Sequence, residues 1–122
     1  MAQPKNIEQI KAVPKVMGAY LDYAKRRAIL NEVMFYFGKG NPEGIYARYL
    51  DSKSKEEVNV DATVSGPAKE LASKGDWKNP LWKKLIENGK KQVATSLNGD
   101  IPGFLASKEY KEYLKKEKMG MC

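Results

Sequence analysis

"IYARYLDSKSKEEVNVD" (45–61) changes character half-way along its length. Ile45, Tyr46, Tyr49 and Leu50 lie on one helical face, so the first half reads as an amphipathic helix. The second half is polar and closes on "KEEVNVD" (55–61), an acidic pair followed by alternating valines and polar residues. Ser65-Gly66-Pro67 come next and are expected to break the chain. A weak helix over 68–72 should follow, because proline suits a first helical position. "EVNVDATV" (57–64) alternates like a strand, but it is short and has no hairpin partner. Asn59 therefore sits at a helix–loop boundary, where it either turns the chain or touches a partner.

The apolar pattern on both sides of this stretch is helical. Met17, Tyr20, Leu21 and Ala24 follow one face, as do Leu30, Val33, Met34 and Phe37, and Gly38-Lys39-Gly40 stops the second run. The longest candidate spans about 80–97, with Leu81, Leu85, Ile86, Gly89, Val93 and Leu97 in register. "NGD" (98–100) should end it, and Pro102 opens a last helix carrying Phe104, Leu105, Tyr110, Tyr113 and Leu114. The expectation is an all-α domain of six to eight short helices over 1–118, with 119–122 as a short tail.

A chain of 122 residues supports one modest core, and 42% hydrophobic with 30% charged residues is the balance of a globular protein. No apolar run approaches the ~20 residues of a membrane span, and "MAQPKNIEQI" has no signal core. The lone cysteine is Cys122, and there is no histidine. An internal disulfide and a Cys/His zinc site are thereby excluded, and a cytoplasmic setting fits.

The formal charge of +7 is concentrated in the second half, where twelve Lys/Arg face seven Asp/Glu, against ten and eight in residues 1–61. Most of these lysines are interleaved with acids, which suits a solvated surface. Trp77 and Trp82 lie among Lys74, Lys78, Lys83 and Lys84. That interleaving could stack nucleic acid bases, but a core Trp82 with lysine stems around it is preferred, and no nucleic acid partner is expected. Lys108, Lys111, Lys115, Lys116 and Lys118 leave a weak contact with an anionic membrane surface open, though Glu109, Glu112 and Glu117 dilute that charge.

Catalytic sets are missing. Without histidine there is no Ser-His-Asp or Cys-His arrangement. "GKGNPEG" (38–44) lacks the Gly-Lys-Ser/Thr end of a phosphate loop. Glu56 and Glu57 are adjacent, and adjacent residues on a helix do not face each other. No enzyme active site, metal or cofactor is expected.

Three segments taken together, "YLDYAKRRAILNEVMFYF" (20–37), "IYARYLDSKSKEEVNVD" (45–61) and "LNGDIPGFLASKEYKEYL" (97–114), resemble the RGS domain, the regulator of G-protein signalling. That family carries Glu-Asn-Leu-x-Phe-Trp on one helix, an Ile-Tyr helix ending in Glu-Val-Asn-Leu-Asp, and a final Asp-Ser-Tyr-Pro-Arg-Phe-Leu-x-Ser. "IEQIKAVPKVMGAYL" (7–21) is similar to its opening helices, so the resemblance covers nearly the whole chain. It implies a protein that is no enzyme itself. Such a protein binds the Gα subunit of a heterotrimeric G protein and speeds GTP hydrolysis by holding the switch loops in their transition-state arrangement.

The resemblance also implies a partner-binding set: Asn31, Glu32, Glu56, Asn59, Asp100 and Gly103. Residues 27–32, 56–61 and 96–103 would be three loops of one face, and a place at the inner face of the plasma membrane stays open. Asn59 would reach the Gα glutamine, and Asp100 would accept from a switch-loop group or order its own loop. The chain departs from the family pattern in length, with the third segment one residue short and the 38–44 loop shorter than usual, and in residue type at three sites. Glu32 stands where the contact asparagine is usual, Gly103 where an arginine is usual, and Gly89-Lys90 where the long helix has Ala-Gln. These departures keep a second reading in view, a scaffold or adaptor with no effect on GTP hydrolysis. A third is a basic helical module that binds anionic lipid or nucleic acid.

Overall fold

A computed structural model describes residues 3–120 and contains eight helices and no strand among them. The all-α expectation holds. The chain divides into two units: residues 1–30 with 96–122, and residues 31–95.

The terminal unit holds α1 (Ile7–Lys11), α2 (Pro14–Arg26), the end of α6 (Leu81–Gly99), α7 (Ile101–Leu105) and α8 (Lys108–Gly120). Asn6 caps α1 by accepting from Gln9 N. Asn98, at the end of α6, accepts from Ile7 N at 2.9 Å, which ties the first helix to the end of the sixth. α2 packs along α8. Tyr20, Tyr23, Phe104 and Tyr110 form the shared core, with Tyr20 edge-on to Phe104 at 5.1 Å. Arg26 clamps Glu109 through two bonds of 2.9 Å, and Lys15 meets Glu117 at 3.1 Å. Residues 121–122, including Cys122, lie outside the described residues, and α8 runs on through Gly120.

α2 ends in a Schellman turn. Ile29 N donates to Ala24 O and Ala28 N to Lys25 O, which places Ala28 at φ 59°. Glycine is the usual occupant there, because an L side chain crowds the backbone in the left-handed region.

The central unit holds α3 (Leu30–Phe37), α4 (Pro42–Ile45), α5 (Ala62–Ser73) and α6 (Leu81–Gly99) up to residue 95. α4 passes directly into a π-helical turn, Tyr46–Leu50, closed by Asp51 N donating five residues back to Tyr46 O. Phe35 packs against Tyr49 at 5.5 Å. A Cβ on Gly89 would lie 3.2 Å from Phe35 Cζ, so the glycine lets α6 approach the ring closely.

The expected break at Ser65-Gly66-Pro67 does not occur. α5 begins at Ala62 and runs through all three residues. Two features permit this. Asp61 caps the helix, accepting from Thr63 N at 3.0 Å. Gly66 precedes the proline and has no Cβ to clash with its ring. The cost is one backbone bond, since Pro67 cannot donate to the carbonyl four residues back. The long helix likewise extends to Gly99 rather than stopping at Leu97.

Candidate functional site

The polar half of the opening stretch is folded back on the helix that precedes it. Ser54 Oγ donates to Arg48 O at 2.5 Å and accepts from Glu56 N at 3.1 Å. Arg48 Nε reaches Glu56 Oε2 at 2.6 Å. Val58 N donates to Tyr49 O at 2.8 Å, and the Val58 side chain is 3% exposed. The alternation of 57–60 therefore marks an extended segment anchored by one buried valine, with no strand partner. Val58 faces inward, so Glu57 and Asn59 are exposed on either side of it.

At the far end, Asp61 N donates to Gln92 Oε1 at 2.9 Å, and Gln92 Nε2 donates to Asp61 Oδ1 at 3.0 Å. Bonds from Thr63 and then Gln92 hold the Asp61 carboxyl below its ordinary value. Two side chains thus pin the segment, Val58 within it and Asp61 at its end, and Asn59 lies between them.

A cavity of about 390 Å³ opens beside this segment, lined by Glu32, Leu50, Glu57, Val58, Asn59 and Ser65. Two of the six expected site residues, Glu32 and Asn59, share it. Glu32 comes from the first turn of α3, where a negative charge suits the helix N-terminus. Its Oε2 is buried and has no hydrogen-bond partner among the described residues. The Asn59 amide makes no hydrogen bond among the described residues either, which leaves both its donor and its acceptor open.

Comparison of the chain with family models, with curated proteins and with solved structures finds no match.

Asn31 stands next to Glu32 on α3 but does not line the cavity. Glu56 is engaged by Arg48. Asp100 and Gly103 belong to the terminal unit. There Tyr23 donates its hydroxyl to Asp100 Oδ2 at 2.7 Å. Burial first, then the bond to Asp100, pushes the Tyr23 phenol above its ordinary value. A Cβ on Gly103 would sit 2.9 Å from the Tyr23 oxygen, so any side chain at 103 would force this pair to shift.

The surrounding motif residues serve the fold. Phe104 is fully buried, and Ser107 Oγ accepts from Tyr110 N at 3.2 Å in the first turn of α8. Of the three expected loops, 30–32 and 96–99 are helical turns, and Ile101–Leu105 is a short helix. Only 56–61 is an open segment throughout.

Sequence reasoning missed Tyr23, whose signal was that a buried tyrosine hydroxyl needs a partner. It also missed Glu57 and Ser65 as cavity walls. Nothing in their spacing sets them apart. No cluster of three metal-ligating side chains occurs among the described residues. No helix of the described residues is long and apolar enough to cross a membrane.

Proposed function

We propose that this chain binds the Gα subunit of a heterotrimeric G protein and accelerates its GTP hydrolysis without contributing a catalytic group of its own. The reading rests on the resemblance of the three sequence segments to RGS domains. One observation supports it. Asn59, whose amide is free among the described residues, shares a cavity with Glu32, and the resemblance assigns both positions to the Gα contact. An amide suits that role because it donates and accepts without adding charge beside a phosphate that becomes more negative in the transition state. Gα supplies its own arginine and its own glutamine, so the partner need only hold the switch loops in place.

A second reading has its own support. The buried, unpaired Glu32 oxygen brings negative charge where the family has a neutral amide. On that reading the chain binds a partner as a scaffold and leaves hydrolysis unchanged.

The deciding experiment measures binding to a panel of Gα subunits in three states: GDP, GTP analogue, and GDP with aluminium fluoride. Preference for the aluminium fluoride state, lost in Asn59→Ala, supports GTPase activation. Binding that ignores the nucleotide state supports the scaffold. No binding to any Gα removes both readings.

A further inference from the structure

A second groove of the central unit has no part in the proposal above and carries a different chemistry. It has a volume of about 530 Å³, within the range of small-molecule sites. Its aromatic wall is a stack. Trp77, partly exposed, lies over the buried Trp82 at 5.3 Å between ring centres and 23° between planes. Tyr46 closes the stack at about 6 Å from both rings. Trp82 is locked in place because its indole N–H donates to Asp76 O at 2.7 Å. The Trp77 indole makes no such bond among the described residues.

Four cations line the groove: Lys39, Lys78, Lys83 and Lys90. None of them has an ion-pair partner among the described residues, whereas Lys15, Arg26, Arg48 and Lys74 are each paired with a carboxylate. Glu87 is the one acid on the lining, and it pairs with none of the four. Lys90 is partly buried and spends a proton on Gly38 O at 2.8 Å. Burial first, and then the charge of Lys39, push its ammonium below the ordinary value. Two like charges lie close together here beside an apolar wall, with no ion-pair partner among the described residues.

We infer that this groove binds a small organic anion with a flat apolar body, of the aryl carboxylate, sulfonate or phosphate class. The flat body would extend the Trp77–Trp82 stack, as offset aromatic rings prefer. The head would sit between Lys39 and Lys90 and relieve their repulsion. The shape favours this occupant over a membrane or a nucleic acid strand, because the four lysines converge on one concavity rather than spreading over a plane or tracking a strand. The inference is independent of the Gα reading, since the two cavities share no lining residue.

The test compares naphthoate with its neutral counterpart naphthol, by titration calorimetry and by NMR of the two indole N–H groups. Both tryptophans of the chain belong to this groove, so both signals report on it. Naphthoate is expected to bind one to one, shift the Trp77 signal, and bind about tenfold more tightly than naphthol. Lys39→Ala should weaken naphthoate about fivefold and leave naphthol unchanged, and raised salt should do the same. Lys39 is exposed and makes no bond among the described residues, so this variant keeps the fold. Lys90→Met, which keeps the apolar stem, is the second variant and should act in the same direction.

Equal binding of naphthoate and naphthol, or a Lys39→Ala variant that binds naphthoate as before, overturns the inference. So does a protein that ignores naphthoate yet binds vesicles containing phosphatidylserine or a thymidine oligonucleotide through the same lysines.

Discussion

The hydroxyl of Tyr23 and the carboxylate of Asp100 meet at 2.7 Å across 77 residues of chain, and Gly103 is a glycine because of them. A methyl group at 103 would press on the Tyr23 oxygen at 2.9 Å and on Asp100 Oδ1 at 3.2 Å. Gly103→Ala should therefore cost about 1–3 kcal/mol despite the better helix propensity of alanine. Removing the hydroxyl with Tyr23→Phe costs about 1 kcal/mol by itself, since Asp100 loses its donor. In that background the closer contact is gone and only Asp100 Oδ1 at 3.2 Å remains, so the penalty of Gly103→Ala should fall to about 1 kcal/mol or less. A double-mutant cycle in urea measures this. Equal penalties in the two backgrounds would sink the explanation.

The Schellman turn at the end of α2 contains a correctable strain. Ala28 holds φ 59°, where a side chain costs ~1–2 kcal/mol. Glycine removes that cost but gains freedom in the unfolded chain worth about 0.4–1 kcal/mol. Ala28→Gly is expected to stabilise by roughly 0.5–1 kcal/mol, which thermal unfolding would read as a Tm higher by about 2–5 °C. A lower Tm would mean the turn is not left-handed in solution.

Acid should weaken the terminal unit through Glu109. Bonds from Arg26 hold its carboxyl below the ordinary value of 4.5. A folded-state value below the unfolded one means the unfolded chain binds the proton more readily. The stabilisation is then fully present above about pH 5 and is lost as pH falls through the lowered value. Glu109→Gln should flatten the decline of the urea midpoint between about pH 5 and pH 2.5. An unchanged acid limb would show that the clamp carries no linkage.

The helices were legible where apolar spacing decided them. The apolar face of Leu30–Phe37 and its glycine stop were read correctly, although 30–32 was also assigned to a loop. The misreading at Ser65-Gly66-Pro67 has a local cause. Proline was read as a start signal, but the stronger start signal was Asp61, which caps α5 five residues earlier than Gly66. The cavity residues were legible only in part. Asn59 stood out through its place at a helix–loop boundary and through the RGS resemblance. Its neighbour Glu32 comes from another helix, and no periodicity links the two. Tyr23 was hidden for the same reason, since a hydrogen bond spanning most of the chain leaves no trace in spacing. The preferred core placement of Trp82 holds, but the groove beside it was not legible from the lysines close in sequence. Lys78 and Lys83 line the groove, Lys74 is held by Glu70, and Lys39 and Lys90 come from elsewhere in the chain.

Glu32 is where the proposed Gα contact is most exposed to test. Its Oε2 is buried with no hydrogen-bond partner among the described residues, so the free protein already bears the cost of desolvating a carboxylate oxygen. A partner that presents only backbone carbonyls or phosphate charge cannot relieve that cost, and it meets added repulsion. Glu32→Asn restores the neutral amide that the RGS resemblance expects at this position. The variant should bind Gα in the aluminium fluoride state about tenfold more tightly, a gain of about 1.4 kcal/mol. Asn59→Ala should lose about the same amount, because it removes a donor and an acceptor at once. Single-turnover GTP hydrolysis separates the outcomes. A rise in rate with Glu32→Asn, abolished by adding Asn59→Ala, means that both residues act on the same switch loops. Tighter binding with no change in rate would place the pair on Gα but outside the transition state, and the scaffold reading would stand.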